Sequence, residues 1–375
     1  MTCQVIWANS TMQGAPTISG TVGVGITFLD ALLIDGFGQL TLTSLSVTSA
    51  VATATISAGH AYKQWSVVEI AGATPTELNG RKRVLSVTAT ELTFAATGVS
   101  DGSATGTITC KIPGAGWTKP YTGTNLAAYK LSGTIGTGSY LRIDDTGTTD
   151  MRCVGYVTMD SISVGYDPFP SAAQLTGGGF IRKSSAVSST TRAWTFLGND
   201  RGFYLTVLSD GLTIWRTVWF GDFRSFSTGA TTWDCVIAPG ASAGGSAYLG
   251  LCNGVPQTNQ ALYLPRAGTG VAGATYASKT AMAWISAPTG ITYPCPVVGG
   301  IVASRGAIIQ DGAHANSLRR GEMPGYVVFM NNCIADLSVT TPILLAGFDE
   351  YILPIPTGDT AIYGTWFGVS LGDWL

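Results

Sequence analysis

Hydrophobic and polar positions alternate along this chain in short runs rather than in helical stripes. In TRAWTFLGNDRGFYLTVL, Trp194 and Phe196, then Phe203, Leu205 and Val207, fall at every second position. A period of two marks a strand with one buried face. Asn199 and Asp200 supply a turn between the two runs, and Asp210 and Gly211 supply the next. The stretch 182–227 also carries Trp215, Trp219, Phe220, Phe223 and Phe226, in runs broken by Gly and Asp. Turn residues between aromatic and β-branched runs predict an antiparallel meander. Its core is expected to hold Trp194, Trp215, Trp219, Phe220 and Phe223.

One segment departs from this pattern. Residues 25–37, GITFLDALLIDGF, place Ile26, Leu29, Leu32 and Leu33 at helical spacing, and Gly36 and Gly38 can end the helix. A short amphipathic helix at a junction is predicted there. From 40 to 112, Thr, Ser, Val and Ala alternate sharply through LTLTSLSVTSAVATATISAGH, WSVVEIAGA, RKRVLSVTATELTFAA and ATGTITCKI, with Asn79-Gly80 as a hairpin signal. The expected organisation is an N-terminal segment over 1–38, a small inserted β-barrel or sandwich module over 39–113, and a main β-sandwich domain over 114–375. Within the last, 239–274 turns to Gly, Ala and Ser and reads as a long loop or arm. The predicted fold class is all-β: antiparallel β-sandwich or barrel domains with at most one short N-terminal helix.

Composition adds a constraint on the surface. Of 375 residues, 45% are hydrophobic and only 11% are charged, against roughly 25% charged in an ordinary soluble domain. Mean hydropathy is +0.28. A surface so poor in charge is expected to be covered by other subunits, since interface cores are depleted in ionic groups. The net charge of −2 and the lack of any basic run argue against a nucleic-acid partner. No apolar run approaches the ~20 residues of a membrane span, so no membrane insertion is expected. The start, MTCQVIWANSTMQG, lacks a basic stretch and an apolar signal core, so no secretory signal is expected. Cys3, Cys110, Cys153, Cys235, Cys252, Cys295 and Cys333 are scattered, without a C-x-x-C pair. They read as small buried hydrophobes made in a reducing compartment.

Candidate chemistry is sparse. His60 and His314 are the only histidines, and neither a G-x-S-x-G elbow nor an H-E-x-x-H helix is present. Asp144, Asp145 and Asp150 in RIDDTGTTDM form an oxygen-rich loop that is the candidate metal site, set against ordinary turn chemistry. Asp200, Asp210 and Asp222 stand near Trp194, Trp215 and Trp219, the residue types of a glycosidase or a sugar platform. Turn and core roles account for the same residues, and no enzyme is expected. GTIGTGSY has glycines but no lysine after them, so no phosphate cradle and no cofactor are expected.

Several segments together resemble a widespread family of tailed-bacteriophage virion proteins. They are FLDALLIDGFG, GWTKPYTGTNLAAYK with LRIDDTG, RKSSAVSSTTRAWTFLGNDRGFYL, WFGDFRSF, RRGEMPGYV and the terminal GTWFGVSLGDWL, which stands where the family closes on Gly-Pro-Trp. The piece over 40–112 is similar to a small β module of several phage proteins. The resemblance implies a virion structural protein, made in the host bacterial cytoplasm, with other virion proteins and copies of itself as partners. A tail-tip or baseplate position is expected, with a capsid decoration protein or a host-glycan-binding adhesion protein as alternatives. Trp366, Phe367 and Trp374 near the terminus are the expected assembly contacts.

Overall fold

The structure is a computed structural model and describes residues 4–134, 136–227, 233–240, 262–281, 303–305, 307–311, 318–329, 341–344, 349–359, 365–372 and 374. The fold is all-β and antiparallel, with a single short helix among the described residues. The aromatic meander centres the largest sheet. Trp194–Asn199 and Gly202–Leu208 pair from Trp194↔Val207 to Asn199↔Gly202, leaving Asp200 and Arg201 as the turn. Gly202–Leu208 pairs along Ile214–Asp222, and Ile6–Asn9 adds outside Trp194–Asn199.

The far edge of Ile214–Asp222 has two partners. Cys235–Ala238 pairs with 219–222, whereas Tyr351–Asp359 pairs with Ile214 and Trp215. The sheet therefore forks. One arm runs through Leu262–Arg266, Ala272–Ala281, Ala307–Asp311 and Arg319–Glu322; the other runs through Thr365–Ser370, Tyr326–Phe329 and Ala303–Arg305.

Alternation predicts one buried face for the meander, but both faces are buried, and every residue of Trp194–Asn199 is inside. On one face Trp194 meets Phe28 edge-on at 5.1 Å, and Phe203 and Phe220 pack on Trp117. On the other, Tyr204 and Trp219 pack on Trp374, and Tyr204 also reaches Phe367. Trp194, Trp219, Phe220 and Phe223 are buried, but Trp215 is only half-buried. It lies beside the Asp210 turn, where the strand has just begun.

The helix spans Val24–Asp30 and continues as a π-helical turn over Ala31–Asp35, ending at Gly36 with φ 75°. That positive-φ conformation is open to glycine at no steric cost. Phe28, Leu29, Leu32 and Leu33 are buried. The Leu32 and Leu33 carbonyls accept the N–H groups of Ala115, Gly116 and Trp117 at 2.9–3.0 Å. The helix thus sits where the chain leaves the eight-stranded sheet and enters the rest.

That sheet contains Phe37–Thr41, Ser44–Thr48, Val51–Thr55, Val67–Ala71, Gly80–Val87, Glu91–Ala95, Gly102–Ser103 and Thr109–Ile112. The Leu42 N–H bonds Ile108 O at 2.8 Å and the Ala104 N–H bonds Leu45 O at 2.8 Å. Pairing thus follows the bend at 42–43, and the sheet curls back on itself. Leu45, Val47, Ala52, Ala54, Leu92 and Phe94 line the inside, while Ser46, Thr53 and Thr93 face outward. Asn79-Gly80 does not form a two-residue turn. The Asn79 side chain instead closes a longer loop by bonding both the N–H and the carbonyl of Ala73.

Two further expectations change. Within 239–274, Leu262–Arg266 and Ala272–Ala281 pair as strands, so part of the expected arm is sheet; 241–261 lie outside the described residues. Leu262, Tyr263 and Leu264 are all buried, a short apolar run that the surrounding Gly and Ala obscure. The terminal segment is no free docking tail. Thr365–Ser370 pairs with Tyr351–Asp359 and Tyr326–Phe329. Phe367 stacks on Tyr326 at 4.7 Å, and Phe367 and Trp374 are both buried. They cover the second face of the meander, which a partner therefore cannot reach through them. The Trp366 side chain lies outside the described residues.

Candidate functional site

A third, five-stranded sheet runs Thr118–Gly123, Leu126–Lys130, Tyr140–Asp144, Asp150–Tyr156 and Gly179–Arg182. The turn over 144–150 carries the three acids, and the sheet brings them to the basic pair Arg182 and Lys183. Register sets the meeting, because Asp150 lies opposite Arg182 across the ladder. The next residue, Lys183, donates its backbone N–H to Thr149 O at 2.9 Å, which turns its side chain under the acidic loop.

The three carboxylates then part company. Asp144 accepts the N–H and hydroxyl of Thr146, closing an Asx turn. Asp150 accepts Arg182 Nη1 at 2.5 Å and the Thr149 hydroxyl at 2.9 Å. Asp145 and Lys183 have no exposed surface at all. Lys183 Nζ donates to Asp145 Oδ1, to Thr21 O at 2.7 Å and to Gly147 O at 2.9 Å. Those three oxygens match the three protons of an ammonium. The other carboxylate oxygen of Asp145, Oδ2, accepts the Gly25 N–H at 2.7 Å, and the Ile26 N–H also bonds this carboxylate.

The N-terminal segment is thereby clamped on the five-stranded sheet. The Asp145 backbone accepts the Gly23 N–H at 3.1 Å. At the far end of the helix, Asp30 takes the Tyr129 hydroxyl at 2.9 Å and the Lys119 ammonium at 2.6 Å. Gly25 has no room for a side chain, since a Cβ would stand 2.2 Å from Met151 Sδ and 3.1 Å from Asp145 Oδ2. Burial pushes the Asp145 carboxyl above its usual range, against the pull of Lys183 and the backbone N–H groups. At this candidate position, which the sequence sets against turn chemistry, the protein's own cation stands beside Asp145. Among the described residues, no three of His, Cys, Asp and Glu are grouped to hold a metal ion.

The other candidates are spread apart. Asp210 caps its turn by accepting the N–H groups of Leu212, Thr213 and Ile214. Asp222 is buried and accepts the Thr137 hydroxyl at 2.6 Å and Arg201 Nε at 3.3 Å. Asp200 fixes its turn through its backbone, whose carbonyl accepts Ser132 and Gly133. Trp194 and Trp219 are buried and offer no sugar platform. His60 is half-buried, accepts the Tyr62 N–H at Nδ1, and has a pKa lowered by burial. His314 lies outside the described residues.

Sequence reasoning missed Lys183. A signal for it existed: in so weakly charged a chain, an Asp-Asp pair and an Arg-Lys pair are both conspicuous. No protein-family model matches the chain, and neither does any curated protein.

Proposed function

We propose that this chain is an oligomeric exterior subunit of a tailed-bacteriophage particle, in the tail-tip or baseplate region. The observation that carries this reading is the placement of its scarce charges. Only 11% of residues are charged, and Asp145, Asp150, Arg182, Lys183, Asp222, Asp234 and Arg320 are buried. These seven are drawn from a small set, 20 Lys and Arg with 22 Asp and Glu, so the outside carries few ionic groups for a chain of this length. Large apolar side chains stand out on it, with Leu212 81% and Val187 72% exposed. The Ser185 N–H bonds Ser209 O at 2.8 Å, so the loops that carry these two residues adjoin. A surface of this kind is stable in water when neighbours cover it. The resemblance of its segments to phage virion proteins points the same way.

The test is the copy number per particle, by quantitative mass spectrometry of purified virions. A few to a few tens of copies is the expected result. Hundreds of copies would move the protein to capsid decoration. Absence from particles, with a monomer that does not self-associate in solution, would end the reading.

A further inference from the structure

We propose that Lys183 and Asp145 condense to an intramolecular amide, a covalent cross-link between the 144–150 turn and the end of the Gly179–Arg182 strand. Four observations place the reacting groups. Nζ of Lys183 is in direct contact with Oδ1 of Asp145. Neither side chain has any solvent exposure. Oδ2, the oxygen that remains as the amide carbonyl, already accepts the Gly25 N–H at 2.7 Å, and the Ile26 N–H also bonds the carboxylate. Donors in that position stabilise the negative charge that gathers on oxygen when an amine adds to a carboxyl carbon. Finally, Thr21 O and Gly147 O hold the remaining Nζ protons and so direct the nitrogen.

The step balances without a co-reactant. The ammonium passes one proton to Oδ1, leaving a neutral amine beside a neutral acid. Burial favours the protonated form of the Asp145 carboxyl, whose pKa it raises. The nitrogen lone pair adds to Cγ, forming the N–Cγ bond. The Cγ–Oδ1 bond then breaks, and Oδ1 leaves as water with its own proton and a second one from nitrogen. The amide N–H that remains keeps one backbone carbonyl as acceptor.

Two physical reasons favour the forward direction. Groups held in contact react at effective concentrations of up to about 10⁸ M. A buried ion pair also keeps the desolvation cost of its two charges, which the neutral amide removes. Bulk water does not reach the site to reverse the reaction. The cross-link would tie together strands 38 residues apart, beneath the point where the N-terminal segment is clamped.

The experiment is the intact mass of the purified full chain under denaturing conditions, followed by proteolytic mapping. The expected result is a mass one water below that of the sequence, with a branched peptide joining Lys183 to Asp145. Lys183→Arg should restore the full mass. A wild-type chain at its full sequence mass would overturn the proposal. So would a water deficit that maps elsewhere, such as to a succinimide at an Asp-Gly step. The wild-type measurement decides the matter even where the variant fails to fold.

Discussion

Thr206 and Thr217 face each other in the middle of the meander, both buried, with the Thr217 hydroxyl 2.8 Å from that of Thr206. They continue a polar row that begins at Asn9 and Thr195 on the neighbouring strands. Buried hydroxyls are tolerated when they satisfy one another, and removing one partner leaves the other desolvated. Thr217→Val is therefore expected to cost about 1–3 kcal/mol in chemical denaturation. Adding Thr206→Val should recover part of that loss, because the orphaned hydroxyl is then gone as well. A neutral single variant would show that the row does not depend on this bond. Such pairing was not legible beforehand: Thr in a strand reads as an ordinary β-former, and only the register puts the two face to face.

At the scale of elements, the terminal strand behaves as core. Trp374 lies edge-on to Tyr204 at 5.5 Å and donates Nε1–H to Ser370 O at 2.9 Å. The sequence reading takes this tail for a docking segment, on which view truncation before Trp366 leaves a folded protein. The structure reverses that expectation, because the cut removes a strand paired on both sides and exposes Tyr204 and Trp219. Trp374→Ala should cost about 3–5 kcal/mol, and the truncated chain should lose its near-ultraviolet dichroism and aggregate. A soluble, natively folded truncation would contradict this. The helix shows the opposite case. Its spacing and its glycine stop are local, so 25–37 could be placed from sequence. Its π-helical second half could not, since the carbonyls of Leu32 and Leu33 bond a segment about eighty residues away in the chain.

Over the whole molecule, burial sets the response to alkali. Desolvation pushes the Cys110 thiol up to about 12 and raises Cys153 and Cys235 as well. The phenols of Tyr62, Tyr129 and Tyr204 are raised for the same leading reason. Unfolded thiols lose their protons near pH 8.5 and phenols near pH 10, approximately. Above those values the unfolded chain sheds protons that the folded chain retains. Stability is thus fully present below about pH 8.5 and falls as pH rises beyond it. Urea midpoints should hold level from neutral pH to about 8.5 and decline steadily above it, and the three thiols should resist alkylation until the chain unfolds. A flat midpoint across that range would mean these groups are solvated. The same economy of charge and polar burial underlies the reading of the protein as a building piece.

Strand content, the positions of turns, the short helix and the poverty of charge were determined by the sequence itself. Each depends on neighbouring residues or on a sum over them. The tertiary structure alone decided that the meander is buried on both faces, that the last tryptophan lies inside, and that Asp145 meets Lys183. These depend on which distant strands pair and in what register, and a shift of one residue would turn each side chain to the opposite face. The two charges are legible in the chain; their contact is a property of the fold.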